Sequence, residues 1–189
     1  MASTIWIALL ILNFKTIIFK PPKLGGFFFI KFYMKYRQLT KEQFSELHIE
    51  FSKFLATQQI DVKEWNTIKK ENALMAEEEL NLFSDLVWED VLTKTEYIEH
   101  ISENNINLFK CNSKEITRIY IKLNDNNKSF LNNTDFKWFL KNPLADIIEY
   151  FKAEKKYTED KNIEVFKLIE MGGQISKGEL FCRVSQLIG

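Results

Sequence analysis

The segment ALMAEEELNLFSDLVWEDVLTK, residues 73–94, has the longest unbroken helical periodicity in the chain. Its apolar side chains recur at steps of four, three, four and four residues, at Ala76, Leu80, Phe83, Val87 and Val91. At 100° per residue these positions form one apolar stripe along a helix. We therefore predict a central helix of about six turns whose stripe is buried against other elements.

Two helix starts precede this segment. Thr40–Gln43 has the form of a capping box, and apolar residues at helical spacing then continue to about Gln58. Asp61, followed three residues later by Glu64, repeats the pattern and predicts a short helix that ends near Asn72. Three helices are thus expected in succession, and their short connections favour antiparallel packing of neighbours.

After residue 99 the helical period gives way to strand patterning. Ile106–Cys111 and Ile116–Leu123 are rich in Ile, Leu, Phe and Tyr, and a short polar link between them predicts a hairpin. The second run alternates, with Arg118, Tyr120 and Lys122 on one face and Ile119, Ile121 and Leu123 on the other. Ile147–Phe151 fits a third strand or the start of a helix, and we predict a strand.

Three further helices are predicted towards the C-terminus. A cap at residue 133 or 134 opens a short amphipathic helix that stops before Pro143. Thr158 begins a helix that ends at Gly172-Gly173, and Ser176–Glu179 forms another capping box before the last helix. The predicted fold class is α+β: a mostly helical single domain over residues 34–189 with a small antiparallel hairpin or three-stranded sheet.

The predicted core consists of the apolar residues on the inner faces of these elements. They are Phe44, Leu47, Phe51, Phe54, Trp65, Leu80, Phe83, Val87, Val91, Ile119 and Ile121.

Residues 1–33 differ from the rest of the chain. They contain four lysines and no acidic residue, and their apolar run, Ile5–Leu12, is shorter than the roughly 18 residues that span a bilayer. Basic residues before this run and a small-residue cleavage site, the marks of a signal peptide, are missing. We expect a non-native leader outside the fold, with Met34 as the true start. A signal-like or membrane-associating leader stays open.

Charge and cysteine content narrow the class of protein. The 189 residues include 26 basic and 26 acidic ones, so no strong field favours a nucleic acid or a membrane. Because four basic residues lie in the leader, 22 remain against 26 acidic ones. Cys111 and Cys182 are far apart without a C-x-x-C pair, which favours reduced, buried thiols and a cytoplasmic location. A single disulfide between them stays open.

Four runs of this sequence carry a resemblance to a known group of proteins. They are MKYRQLTKEQF (34–44), FLATQQIDVKEW (54–65), AEEELNLFSDLVWEDVL (76–92) and INLFKC (106–111). Together they resemble a bacterial family of uncharacterised small proteins, a domain-of-unknown-function family of Bacteroidota. The resemblance extends from Met34 to the C-terminus and implies no catalytic residues.

The central helix also carries carboxylates that could face a metal. Glu78, Asp85 and Glu89 lie within about 40° of one another around its axis. The same angles place them opposite the apolar stripe, so we predict a solvated face. No metal and no cofactor are expected.

Three residues are weak candidates for acid/base catalysis. Glu96 and His100 are four residues apart and could pair or share a ligand, while His48 flanks the apolar face of the first helix. Packed or surface histidines are more common than general bases. No Ser or Cys is placed by its local sequence as a nucleophile.

Arg118, Tyr120 and Lys122 on one strand face are weak candidates for binding nucleic acid. Basic and aromatic residues on a sheet can stack on bases and neutralise phosphates. The alternative interpretation is the solvent-exposed face of a half-buried hairpin.

The first functional hypothesis is a small cytoplasmic, non-catalytic protein-interaction module, because the common nucleotide and zinc motifs are absent. One alternative is a small metal-dependent or acid/base enzyme that uses His100 and nearby carboxylates. A second is a nucleic-acid-binding module built on the Arg118 strand face. We expect the partner to be another protein, and a membrane only if the leader is real.

Overall fold

The computed structural model describes residues 34–189, which form seven helices and five strands. Contacts divide the chain into two compact units, of which the first ends at Val91 and the second is Leu92–Gly189. The α+β class is confirmed, although the sheet has five strands rather than two or three. The predicted leader lies outside the described residues, and a single domain over residues 34–189 stays a prediction.

The first unit is helical and matches the predicted order. Its helices are α1 (Lys41–Glu46), α2 (His48–Thr57), α3 (Val62–Glu71) and α4 (Ala73–Lys94), the last of which crosses into the second unit. The central helix therefore has the predicted bounds. The predicted first helix is interrupted at Leu47, whose backbone (φ −99°, ψ 20°) leaves the helical region and separates α1 from α2.

Side-chain caps begin these helices as the sequence predicted. Thr40 Oγ1 accepts a hydrogen bond from the Gln43 backbone N–H (3.3 Å), and Gln43 Oε1 accepts one from the Thr40 N–H (2.9 Å). Asp61 Oδ1 accepts the Glu64 N–H at 2.7 Å, and α3 ends at Glu71, with Asn72 as its C-cap. Each cap satisfies N–H groups that the first helical turn leaves unpaired.

Aromatic rings fill the core of the first unit. The ring centroid of Phe51 lies 5.1 Å from that of Phe83 and 5.3 Å from that of Trp65, and both pairs are edge-to-face. Of the predicted core residues, seven are buried, namely Leu47, Phe54, Phe83, Val87, Val91, Ile119 and Ile121. Phe44, Phe51, Trp65 and Leu80 are partly buried rather than fully buried.

The second unit contains one antiparallel sheet in the order β4-β3-β2-β1-β5. Its strands are β1 (Tyr97–Ile101), β2 (Asn105–Cys111), β3 (Glu115–Leu123), β4 (Ile148–Lys156) and β5 (Gln174–Ser176). The predicted hairpin is β2 and β3, and the ambiguous segment is a strand, as predicted. The sequence did not reveal β1 or β5.

Three helices complete the second unit, and their starts differ from the predictions. They are α5 (Asn133–Lys141), α6 (Lys161–Glu170) and α7 (Glu179–Ile188). Asn132 caps α5 because its side chain reaches the N–H groups of residues 134 and 135. Asp160, rather than Thr158, caps α6.

The predicted capping box at Ser176–Glu179 is wrong. Gly178 occupies the cap position of α7 in the left-handed region (φ 75°) without a side-chain cap. Ser176 ends β5, where its hydroxyl accepts the Gly178 N–H (3.1 Å) and donates to Glu99 Oε1 (2.9 Å). Pairing of this segment with β1 therefore replaces the local cap.

One face of the sheet is the apolar core of the second unit. The buried residues of this cluster are Ile106, Leu108, Ile119, Ile121, Leu123, Phe130, Phe139, Ile148, Phe181 and Val184. They come from three strands, from α5 and α7, and from the loop before α5. Side chains alternate along a strand, so the residues between them point to the opposite face. Across residues 34–189, no helix has the length and apolar character needed to cross a membrane.

Candidate functional site

The face opposite the apolar core carries a row of four polar and aromatic residues. His100 on β1 lies opposite Asn107 on β2, Asn107 opposite Tyr120 on β3, and Tyr120 opposite Phe151 on β4. Directly opposed residues in antiparallel strands place their side chains on the same side of the sheet. With strands about 4.8 Å apart, the row extends over roughly 14 Å. The pairing thus brings His100 and Tyr120, predicted separately, onto one face.

Arg118 lies in the neighbouring row, opposite Phe109 on β2 and Ala153 on β4. Its guanidinium carbon is 5.8 Å from the centre of the Phe109 ring and 5.3 Å from that of Tyr120. Its Nε donates a hydrogen bond of 3.0 Å to Asn107 Oδ1, and Nη2 donates to the same oxygen. Two rings and an amide therefore fix the position of the cation.

The aromatic part of this face is exposed at β4. Phe151 is 53% exposed, and its ring centroid lies 5.9 Å from that of Tyr120. Asn107, in contrast, is only 8% exposed. We call the set Asn107, Phe109, Arg118, Tyr120 and Phe151 the Arg118 patch.

Two lysines beside the patch are paired with acidic residues. Lys122 Nζ lies 3.6 Å from a carboxylate oxygen of Glu149, and Lys155 Nζ lies 2.9 Å from one of Glu164. Arg118 forms no ion pair with any residue in the described range 34–189. The patch therefore contains one exposed cation that is held by neutral groups.

The other end of this face is covered. Ile98, which lies opposite Phe109, is fully buried. A Cβ at Gly173, just after α6, would lie 2.7 Å from Ile98 Cγ2. Only a glycine at this position therefore lets the backbone come so close to Ile98. The open part of the face is consequently the side formed by β3 and β4.

The candidate catalytic residues are not brought together. Glu96 immediately precedes β1 and His100 lies within it. A separation of four residues in extended chain corresponds to about 13 Å instead of one helical turn. His48 is exposed on α2, with its Nδ1 2.9 Å from the Ser45 carbonyl oxygen. Among residues 34–189, no three His, Cys, Asp or Glu side chains form a group that could hold a metal.

Two carboxylates of the central helix hold the segment before α1. Asp85 accepts the backbone N–H groups of Lys35 (2.8 Å) and Tyr36 (2.9 Å), one on each oxygen. Glu89 Oε2 accepts the Lys35 ammonium at 2.8 Å and the Tyr36 hydroxyl at 2.6 Å. The prediction of a solvated face is correct for Glu78, which is exposed, but wrong for Asp85 and Glu89, which are half-buried.

Further contacts continue along this segment. Trp88 Nε1 donates to the Arg37 carbonyl oxygen at 3.0 Å, and the Leu39 N–H donates to Ser84 Oγ at 3.1 Å. Burial raises the pKa of the Tyr36 hydroxyl, and its hydrogen bond to Glu89 raises it further. The carboxylates therefore serve the structure of the first unit. Sequence reasoning missed this role because the partners lie 49 to 54 positions away.

The two cysteines differ from each other. Cys111 is buried as predicted, and burial raises the pKa of its thiol to about 11. Cys182 is exposed, which corrects the prediction, since Phe181 and Val184 are the buried residues of α7. Its sulfur lies 3.8 Å from the Tyr97 hydroxyl.

Comparison with known proteins identifies a family. A family model described as a family of unknown function (DUF6495) matches residues 34–189. No curated protein and no solved structure matches the chain.

Proposed function

We propose, from the premise that the chain belongs to the family of unknown function DUF6495, that it is a small non-catalytic module that binds another protein. The observation that carries this proposal is the Arg118 patch, in which two half-buried rings flank a cation that has no carboxylate partner among residues 34–189, beside the exposed ring of Phe151. A bacterial origin and a cytoplasmic location are part of the same proposal.

The composition of the patch supports a protein partner. Aromatic residues and Arg are enriched at the centres of protein interfaces, where they supply a large share of the binding energy. Contacts with Asn107, Phe109 and Tyr120 already orient the guanidinium of Arg118. Binding would therefore immobilise fewer free rotamers than it would at a mobile surface arginine.

A nucleic acid is less well supported as the ligand. Binding a strand requires several cations that can replace counterions along the phosphates. Lys122 and Lys155 instead lie beside the carboxylates of Glu149 and Glu164. The acid/base alternative has less support too, because the neighbour of His100 across the strand pair is Asn107 rather than a carboxylate.

The proposal is tested by affinity capture with the full chain from lysate of the cells that encode it. Phe151→Ala removes the most exposed ring of the patch, and Met171→Ala is the matched control because Met171 is 66% exposed outside the patch. We expect a protein that is enriched by the wild type and by Met171→Ala and lost with Phe151→Ala. Identical capture by all three proteins would contradict the proposal.

A further inference from the structure

We propose, resting on the proposed function above, that the Arg118 patch binds an extended peptide segment of its partner with the pattern acid-x-apolar. In this arrangement an Asp or Glu carboxylate accepts hydrogen bonds from Arg118. A large apolar side chain two residues away packs on Phe151 and Tyr120.

Arg118 retains hydrogen-bond donors that no described residue uses. A guanidinium carries five N–H donors, and Asn107 accepts from Nε and Nη2. Nη1 has no partner within residues 34–189, and the side chain is exposed. A carboxylate is the group that matches this remaining edge, because charge-assisted hydrogen bonds to Arg are short and strong.

The cations of the patch limit how many acidic groups it can bind. The only cation of the patch is Arg118, and the neighbouring Lys122 already lies 3.6 Å from Glu149. A second acidic group would find no further cation in the patch. The surface thus fits a single carboxylate rather than a polyanion.

The strand positions of Arg118 and Phe151 determine the spacing of the peptide residues that could contact both. Arg118 lies opposite Ala153 on β4, and Phe151 is two residues before Ala153, so Arg118 and Phe151 are diagonal neighbours. Diagonal neighbours in an antiparallel pair are about 7 to 8 Å apart. In an extended peptide, residues two positions apart point to the same side and are about 6.6 Å apart. An acid and an apolar residue separated by one residue therefore match the spacing of these two strand positions.

The test uses three synthetic peptides titrated into the full ¹⁵N-labelled chain. The first is acetyl-Gly-Ser-Glu-Ser-Phe-Ser-Gly-amide, the second has Gln in place of Glu, and the third has Glu and Phe adjacent. We expect binding of the first, with amide shifts at residues 107, 109, 118, 120 and 151. The affinities of the second and third should be at least about tenfold lower, because the second lacks the charge-assisted hydrogen bonds and the third points its Glu and Phe side chains to opposite sides of an extended chain.

Two variants and one polyanion complete the experiment. Arg118→Lys keeps the charge but loses the planar fork, so it should weaken the first peptide about tenfold. Lys137→Ala, an exposed change on α5, should leave the affinity unchanged. Equal affinity for the Glu and Gln peptides, tighter binding of a short oligothymidylate, or no peptide binding would overturn the inference. If capture from lysate is still lost with Phe151→Ala, the proposed function stands while this partner chemistry fails.

Discussion

Arg118 on β3 lies directly opposite Phe109 on β2, with its guanidinium carbon 5.8 Å from the centre of the Phe109 ring. The pair belongs to the same hairpin that supplies Ile119 and Ile121 to the core on the other face. The strand pairing that builds the core therefore also fixes the cation over the ring. A rigid strand positions a binding residue more precisely than a loop would.

The aromatic core of the first unit should be sensitive to loss of Phe83. Its side chain is buried on α4, and its ring lies 5.1 Å from Phe51 and 5.4 Å from Phe54. Phe83→Ala should lower the free energy of unfolding by about 3 to 5 kcal/mol, because it leaves a cavity among these rings. Urea unfolding measures this change. Ile49→Ala, at an exposed position, is the control, and equal effects of the two would show that Phe83 is not in the core.

Asp85 should contribute to stability through the backbone it holds. The substitution Asp85→Asn leaves an amide with one acceptor oxygen. This oxygen can no longer accept both the Lys35 and Tyr36 N–H groups in the present geometry. We expect the free energy of unfolding to fall by roughly 1 to 2 kcal/mol in urea titrations. Glu78→Gln is the control on an exposed position of the same helix. No difference between the two variants would mean that the segment before α1 is not held by this carboxylate.

The helices and caps of the first unit could be predicted from neighbouring residues, whereas the strands at one edge of the sheet could not. The bounds of α4 and the caps at Thr40 and Asp61 could be predicted, because periodicity and capping are properties of adjacent residues. Strand β5 has three residues and forms only by pairing with β1, so no local signal marks it. The capping pattern at Ser176 was misleading because pairing with β1 prevailed over the cap.

The patch was predicted only in part for the same reason. Alternation along β3 correctly placed Arg118 and Tyr120 on one face. The register that adds Asn107 and Phe151 depends on the pairing of three strands, which alternation alone does not determine. Distant pairing also explains why the role of Asp85 was missed.

Glu164 should make stability depend on pH in the acid range. Its hydrogen bond from Lys155, together with those from the backbone N–H groups of Thr158 and Glu159, lowers its pKa to about 2. Because the folded pKa lies below the unfolded value near 4.5, the stabilisation is present above about pH 4.5 and lost as the pH falls towards 2. Glu164→Gln should therefore melt at a lower temperature than the wild type at neutral pH.

The two melting temperatures should converge as the pH falls below about 2, where the wild-type carboxylate becomes protonated too. Glu103→Gln, in an exposed position, is the control for a simple change of charge. A difference in melting temperature between Glu164→Gln and the wild type that does not change with pH would contradict the low pKa of Glu164.

Glu79 should destabilise the fold at neutral pH, whereas Glu164 stabilises it. One of its carboxylate oxygens is buried without a hydrogen-bond partner among residues 34–189, and burial, followed by the nearby Glu78 charge, raises its pKa. An acid with a raised folded pKa destabilises the fold once it ionises, so the penalty is absent below the unfolded pKa of about 4.5 and present at neutral pH. Glu79→Gln should raise the melting temperature at neutral pH and lose this advantage in acid. Glu77→Gln, exposed on the same helix, should show neither effect.

The measurement that tests the central claim most directly is hydroxyl-radical footprinting of the full chain with and without its captured partner. If the Arg118 patch is the binding surface, labelling of Tyr120 and Phe151 should fall when the partner is present, while labelling of the exposed Met171 should not change. Unchanged labelling of Tyr120 and Phe151, together with protection of another surface, would contradict the account.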